Sequence, residues 1–352
     1  MRKQRGFFDE DDRLTVLSAM GDPLERIAAV VDFEMFRPML EAAFIREAKG
    51  PGGRPRFDPV MMFKILLLQQ WYGIADENTE YLVNDRLSFQ RFLGLGLGDK
   101  VPDSTTIWSF REALTQAGTL DEVFGLFTTG LEERGLVTRR GSIVDATFVD
   151  APRQRNTREE NRVIKDGGVP DGWDEDVPLA RHRLSHKDLD ARWMSKYREN
   201  HYGYKDHVKV DRDSKIIVAH QVSDAALHDS KMLTTLVDDR DRELWADSAY
   251  VGVKLHDQVH QVNPSVVLHI SEKGYWNHPL TDQQRQANTV KAKVRARVEH
   301  VFAEMTNMMG GIKIRSVGIL RAKAGSTLRD LAYNIRRTET ILRLGLQPKV
   351  VV

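Results

Sequence analysis

Hydrophobic and polar positions divide the chain into two parts with different periodicities. Up to about residue 140 the apolar residues recur at helical spacing, and from Gly141 they gather in short runs typical of strands. The clearest helix begins at Asp58-Pro59, an N-cap followed by proline at the first helical position, and ends at Gly73. The pattern predicts an all-α helical domain over residues 1–140 and an α/β domain over residues 141–352.

Several more helices are expected in the first part, and two arrangements of them remain open. They cover about residues 75–87, 88–93, 104–118 and 120–134. Paired short helices with an N-capped second member resemble a helix-turn-helix, which would bind DNA. An ordinary helical bundle fits equally well. We therefore expect the helical domain to bind DNA, to mediate dimerisation, or both.

The second part predicts a ribonuclease-H-like mixed sheet. One strand, a hairpin and two further short strands alternate with helices, at about 143–149, 204–210, 215–222, 243–246 and 265–270. Helices are expected at about 229–237, after Asp247 as far as about 262, at 281–309 and at 327–344. The last two form a basic C-terminal helical segment. Residues 151–200 are polar and predict a long insertion. In this order of elements the first and fourth main strands lie side by side.

Three carboxylates occupy positions that such a sheet would bring together. Asp145 and Asp247 follow short apolar runs, and Glu299 lies in a basic helix. Magnesium prefers oxygen ligands and few protein carboxylates, and two such ions can activate an attacking oxygen and stabilise a leaving one. The three residues thus predict a two-metal site for phosphoryl transfer.

Each acid also has an ordinary structural interpretation. A single Asp at a strand end is more often a cap or half of an ion pair. Asp145 is the most informative, because an unpaired carboxylate between Val144 and Ala146 would be unfavourable and a metal would compensate it. Asp229, beside His228, is explained as an N-cap.

Charge and composition narrow the substrate and the compartment. The chain has 352 residues, no cysteine and a net charge of +1, so thiolate metal sites are excluded. Residues 291–352 hold 13 Lys and Arg against 4 Asp and Glu, a net charge of +9, which suits a polyanion such as DNA or is simply a solvated basic surface. No signal peptide or membrane span is recognisable, so we expect no membrane partner and a cytoplasmic, nucleoid-associated protein.

The basic helix around Glu299 supplies candidate DNA contacts. Arg295 and Glu299 are four residues apart, which fits either a surface ion pair or a phosphate contact beside a metal ligand. Further basic side chains on the same helix extend the candidate DNA-binding set to Lys291, Lys293 and Arg297. Such contacts would hold the DNA backbone without reading its sequence.

Several sequence blocks together resemble a known family. The chain resembles bacterial insertion-sequence transposases of the DDE type, in the IS-five family, over nearly its whole length. The blocks are Gly53–Pro59, Lys64–Leu68, Phe89–Leu95 and Val101–Ile107 in the helical part, and Val144–Thr147, Tyr202–His207, Ala246–Tyr250 and Arg295–Glu299 in the α/β part.

The resemblance implies an activity, a cofactor and partners. Asp145, Asp247 and Glu299 would bind Mg²⁺, for which Mn²⁺ can substitute, and two ions are expected. The protein would cleave DNA at insertion-sequence ends, join the 3′-hydroxyl to target DNA and act as a homodimer on terminal inverted repeats. Ala292 and Thr306 stand where relatives carry Tyr and Lys, so cleavage through a DNA hairpin is not implied.

Two alternatives stay open from the sequence. One is a metal-dependent nuclease on the same ribonuclease-H-like fold that lacks strand transfer. The other is a non-catalytic DNA-binding protein derived from a transposase, although the intact set of Asp145, Asp247 and Glu299 argues against it.

Overall fold

The structure, a computed structural model, describes residues 8–44, 56–173, 184–196 and 198–347. It contains two compact units. The helical unit comprises Met1–Phe127 and Leu331–Leu346, and the sheet unit comprises Thr128–Asp330 and Gln347–Val352. The boundary that the sequence predicts at residue 140 stays a prediction, and the grouping of Leu331–Leu346 with the N-terminal helices was not anticipated.

The helical unit is built around one almost wholly buried helix. Its elements are α1 Asp9–Ala19, α2 Pro23–Val30, a 3-10 helix Phe33–Phe36, α3 Arg37–Ala42, α4 Pro59–Tyr72, α5 Asp76–Asp85, α6 Leu87–Leu93 and α7 Ser104–Ala117. In α4 the Asp58 carboxylate accepts a hydrogen bond from Met61 N, and Gly73 ends the helix with a φ of 62°. Because α4 is apolar on nearly all sides, it forms the centre of this unit's core.

The C-terminal part of the last helix completes that core. Trp71 on α4 donates its indole N–H to Ala332 O at 2.9 Å. Leu331, Ile335 and Ile341 are buried. The basic C-terminal segment of the sequence therefore contributes apolar side chains to the helical unit as well as charge.

The sheet unit holds a six-stranded mixed sheet. After α8 Thr119–Glu133 come β1 Ser142–Asp150, α9 Arg158–Lys165, β2 Arg192–Lys196, β3 Glu199–Asp211, β4 Ile217–Asp224, α10 Leu233–Leu236, β5 Glu243–Ala246, α11 Val253–Val262, β6 Val267–Ile270, α12 Asp282–Met308 and α13 Ile319–Leu344. Short 3-10 helices lie at Asp229–Met232 and Ser248–Tyr250.

Strand pairing confirms the predicted ribonuclease-H-like α/β fold. The order is β2-β3-β1-β5-β6, with β4 also paired to β3. The first strand, β1, is antiparallel to β3 and parallel to β5, and β5 is parallel to β6. The first and fourth of the predicted main strands, which are β1 and β5 in the structure, are therefore neighbours.

The predicted insertion contains regular structure that its polarity concealed. Thr157 begins α9 with a reciprocal capping box to Glu160, and Arg192–Lys196 forms the edge strand β2 against β3. Most of β2 is exposed, so it lacks the alternation of apolar and polar residues that signals a half-buried strand. Residues 174–183 and 197 lie outside the described part of the chain.

The last helix begins earlier than the sequence predicts. It starts at Ile319 rather than near residue 327, because distant acids cap its first amide groups. Asp188 accepts from Gly318 N at 3.1 Å, and Asp190 accepts from Ile319 N at 2.9 Å. A cap supplied from another segment leaves no local signature in the sequence. Among the described helices, none is long and apolar enough to cross a membrane.

Candidate active site

Strand register places Asp145 beside Asp247. In the parallel pair of β1 and β5, Ser142 lies opposite Leu244 and Ile143 opposite Trp245. Continued by two residues, this register sets Asp145 against Asp247 on backbones about 4.8 Å apart. Asp247 directly follows the carboxyl end of β5, whereas Asp145 lies within β1 rather than at the end of a strand. The two aspartates, far apart in sequence, thus meet at one edge of the sheet.

Alternation along both strands explains why these carboxylates leave the core. Val144 and Ala246 are fully buried in one hydrophobic cluster with Leu244 and Leu233. Because successive strand residues point to opposite faces, the next side chain on each strand points away from that cluster. A one-residue slip of either strand would bury a carboxylate in the cluster, so the apolar packing fixes the register of the site.

Asp145 is held by one backbone and one side-chain donor. Its Oδ1 accepts from Ala146 N at 2.8 Å, and its Oδ2 lies 3.4 Å from Arg295 Nη2. Burial raises the pKa of the Asp145 carboxyl. The hydrogen bond from Ala146 and the charge of Arg295 oppose that rise, and the negative charge of Asp247 adds to it. The two aspartates therefore repel each other electrostatically in the folded protein.

Asp247 serves as a local cap and leaves one oxygen available. Its Oδ1 accepts from Ala249 N at 2.7 Å at the start of the 3-10 helix Ser248–Tyr250. No described residue donates a hydrogen bond to its Oδ2. Asp247 can therefore cap the 3-10 helix with one oxygen and bind a ligand with the other.

Helix α12 brings the third predicted carboxylate to this side of the sheet. Val298, Val301 and Met305 form a buried stripe, and Arg295, one turn earlier, reaches Asp145. Glu299 follows Arg295 by one turn, is exposed and forms no ion pair with another described residue. The structure therefore places Asp145 beside Asp247 and Glu299 on the adjoining helix.

The predicted DNA-binding residues have different surroundings. Lys291 donates to Ile270 O at 2.7 Å, at the end of β6. Arg297 donates to Arg212 O at 2.6 Å and lies 3.6 Å from Asp213, in the turn between β3 and β4. Arg295 contacts Asp145, and Lys293 is exposed. Three of the four cations thus connect α12 to the sheet.

Two residues near the carboxylates were not assigned a site role from sequence. Lys196, at the end of β2, is close enough to Asp145 to lower its pKa. Tyr250 is buried, its hydroxyl has no hydrogen-bond partner among the described residues, and burial together with Asp145 and Asp229 raises its pKa well above normal. Lys196 lies in the polar insertion, where sequence gives no strand signal.

The interpretation of Asp229 as an N-cap is wrong. The cap is His228, whose side chain accepts from Ser230 N. Asp229 instead accepts from Lys205 Nζ at 2.8 Å. Lys205 is buried on β3 and requires a charge partner. Because the partner is brought close by the tertiary fold, the local sequence around Asp229 does not reveal it.

The donor set suits a hard divalent cation. Asp145 and Asp247 offer carboxylate oxygens side by side, and their mutual repulsion would be relieved by positive charge between them. Arg295 supplies part of that charge from one side. The arrangement can hold a metal at the edge of the sheet with Glu299 on the neighbouring helix.

The chain was compared with known protein families and with solved structures. The structure is similar to that of a piggyBac transposase in a synaptic complex with hairpin DNA, at a TM-score of 0.42 and 12% identity, covering 94% of this chain and 77% of that one. Residues 12–113 match the family described as Transposase domain (DUF772). Residues 137–335, more than half of the chain and including all three carboxylates, match the family described as Transposase DDE domain. The protein therefore belongs to the DDE-domain transposases.

Proposed function

We propose that this transposase cleaves DNA at the ends of an insertion sequence and joins the freed 3′-hydroxyl to target DNA, with Asp145, Asp247 and Glu299 as metal ligands. The observation that carries the proposal is the parallel register that sets Asp145 beside Asp247, with Arg295 at 3.4 Å from the first. Membership of the IS-five family within the insertion-sequence transposases is part of the same proposal.

The metal would be held by oxygen donors from three elements. Asp145 on β1, Asp247 after β5 and Glu299 on α12 are the proposed ligands, and Mg²⁺ is the ion that such a set favours, with Mn²⁺ as a substitute. Two bound ions would supply activation of the attacking oxygen and stabilisation of the leaving oxygen. The raised pKa of Asp145 supports this assignment, because a cation would return that carboxyl to its ionised form.

The protein's own side chains would orient the ligands and the DNA. Ala146 N and Ala249 N each fix one carboxylate oxygen, so that the remaining oxygens have defined directions. Arg295 would hold Asp145 in place through its Nη2 and would contribute positive charge beside the DNA phosphate. Positioning of this kind accounts for much of the catalysis in phosphoryl transfer.

DNA binding is assigned to the exposed cations of α12, above all Lys293, which is exposed and forms no ion pair with another described residue. Lys291 and Arg297 would act mainly by fixing α12 against the sheet, since each already donates to a backbone carbonyl. Because two transposon ends must be joined to one target, the protein would act as a homodimer.

A single reaction series tests the proposal. The purified chain is incubated with DNA carrying the flanking inverted repeats of its own gene, with Mg²⁺, with Mn²⁺ or with EDTA. We expect cleavage at the repeat ends with either metal and none with EDTA. Supplying pre-cleaved ends with a plasmid target should give joined product.

The possible failures identify the competing functions. Metal-dependent cleavage without joining of pre-cleaved ends would show a nuclease that lacks strand transfer. Specific binding to the repeats without cleavage under any metal would show a DNA-binding protein derived from a transposase.

A further inference from the structure

A second group of potential metal ligands lies inside the sheet unit. Asp206 on β3, His220 on β4 and Asp330 on α13 place one ligand atom each within 4.8 Å of one another. His220 Nδ1 is 3.5 Å from Asp206 Oδ1 and 3.5 Å from Asp330 Oδ2. The three residues are far apart in the sequence, so the group is assembled only when two strands and a helix come together in the fold.

This cluster is separate from the proposed active site. Val208 on β3 lies opposite Asp145 on β1 and, on its other side, opposite His220 on β4. Two strand spacings, about 10 Å in all, therefore separate the backbone of Asp145 from that of His220. A metal held at one site would share no ligand with the other.

The cluster is buried, and the carboxylate of Asp330 lacks a hydrogen-bond donor among the described residues. The relative exposures of Asp206, His220 and Asp330 are 1%, 8% and 0%. Neither carboxylate oxygen of Asp330 accepts a hydrogen bond from a described residue, and the hydroxyl of Ser326, one turn earlier on α13, also has no described partner. Buried polar groups are nearly always hydrogen-bonded, so the two unsatisfied carboxylate oxygens of Asp330 indicate a missing partner.

Charge points to a cation as that partner. Asp206 and Asp330 bring two carboxyl groups together in the buried interior, and His220 Nδ1 lies 3.5 Å from an oxygen of each. Arg329 does not satisfy the carboxylates directly, because its Nη2 donates to Lys313 O at 3.1 Å and its Nη1 has no described partner. One divalent cation would neutralise two carboxylates beside a neutral imidazole.

The distances favour a tetrahedral ion over an octahedral one. A tetrahedral Zn²⁺ with ligands at 2.0–2.1 Å separates neighbouring ligand atoms by about 3.3–3.4 Å. An octahedral Mg²⁺ with ligands at a similar distance would bring adjacent ligands to about 2.9 Å, and it rarely accepts imidazole. The two 3.5 Å separations at His220 are closer to the tetrahedral value than to the octahedral one, and all three ligand atoms lie within 4.8 Å of one another.

We propose that Asp206, His220 and Asp330 bind a structural Zn²⁺ ion. The ion would tie β3 and β4 to the part of α13 that packs on the sheet unit. Its fourth ligand would be the Ser326 hydroxyl or a water. This proposal is independent of the proposed reaction at Asp145, since the two sites share no residue.

Metal content and a spectroscopic probe test the proposal on the full chain without a histidine tag. We expect one zinc ion per chain after purification in metal-buffered solution, retained against excess Mg²⁺. After chelation, added Co²⁺ should give the intense visible absorption of a tetrahedral site. Asp330→Asn should lose this absorption, and Asp145→Asn, which alters only the other carboxylate site, should keep it.

Two further readouts keep the result decisive. Added Zn²⁺ should raise the Tm of the chelated wild-type chain and of Asp145→Asn, but not that of Asp330→Asn or His220→Gln. If either variant fails to fold, the zinc content and the Co²⁺ absorption of the wild type decide alone. Absence of bound zinc, a weak octahedral Co²⁺ spectrum, or an unchanged spectrum in folded Asp330→Asn would overturn the proposal, in favour of a proton shared between Asp206 and Asp330.

Discussion

Asp247→Asn is predicted to stabilise the metal-free protein while removing its proposed catalysis. Asp247 and Asp145 are neighbours in the parallel register, and the charge of Asp247 raises the pKa of Asp145. The substitution removes that repulsion. Asparagine also preserves the hydrogen bond to Ala249 N, because it is as good an N-cap as aspartate.

The magnitude follows from Coulomb's law. Two unit charges about 5 Å apart repel by about 3 kcal/mol at an effective dielectric constant of ~20 and by about 0.8 kcal/mol in water. The side chain of Asp145 is 22% exposed, so the interaction lies between these limits. We expect the free energy of unfolding to rise by about 1–2 kcal/mol, which raises Tm by a few degrees.

The effect should depend on pH with a defined sign. The pKa of Asp145 is higher in the folded than in the unfolded chain, so the folded state binds more protons and loses stability as pH rises from about 4 through the folded pKa. Above that range the penalty is complete. The stability difference between Asp247→Asn and wild type should therefore be small near pH 4 and full at neutral pH.

The assay is thermal and urea unfolding in EDTA, repeated with Mg²⁺. Asp103→Asn is the matched control, since Asp103 caps α7 through Thr106 N in the same chemical role. The control should be neutral or slightly destabilised. Mg²⁺ should stabilise wild type and not Asp247→Asn. If Asp247→Asn is no more stable than the control in EDTA, the two carboxylates do not repel each other appreciably in the folded protein.

Three further predictions concern buried charges and the basic helix. Lys209→Met should lower the free energy of unfolding by about 3–5 kcal/mol in urea titrations. Lys209 is fully buried and forms ion pairs with Asp238 and Asp241 at 3.0 and 2.8 Å, so its loss leaves two carboxylates without their cation; little change in the urea midpoint would contradict this. Burial lowers the pKa of His207 to about 4, so the unfolded chain takes up a proton that the folded chain does not, and stability should fall as pH drops from about 6.5 to 4. His207→Gln should flatten that part of the pH–stability curve, and an unchanged slope would show that another group is responsible. Lys293→Ala should reduce the slope of log binding constant against log salt concentration by about 1 with little loss of stability. Arg297→Ala should mainly destabilise the sheet unit, and equal effects of both variants on the salt slope would show that Arg297 binds DNA directly.

Local patterns were sufficient to predict most of the elements of the fold. The N-cap Asp58 with Pro59, and the glycines that end α4 and α7, are signals carried by the segment itself. The short apolar runs around Val144 and Ala246 likewise predicted two buried strands and the aspartates after them. Their adjacency followed from the order of elements.

Features created by tertiary contacts were not predictable in this way. Helix α13 begins at Ile319 because Asp188 and Asp190, more than a hundred residues away, cap it. The partner of Asp229 is Lys205, and the approach of Lys196 to Asp145 depends on an edge strand that is mostly exposed. None of these contacts leaves a periodic or capping pattern in the sequence.

The central claim is that Asp145 carries metal-dependent DNA cleavage, and single-turnover cleavage by Asp145→Asn tests it most directly. The variant is compared with wild type on the same terminal-repeat DNA in Mg²⁺, with DNA affinity measured in parallel. We expect cleavage to be abolished while affinity for the repeats is largely kept, because Asn cannot supply the ligand charge but preserves the fold of β1. If Asp145→Asn cleaves at the wild-type rate, Asp145 is not a ligand of the catalytic metal.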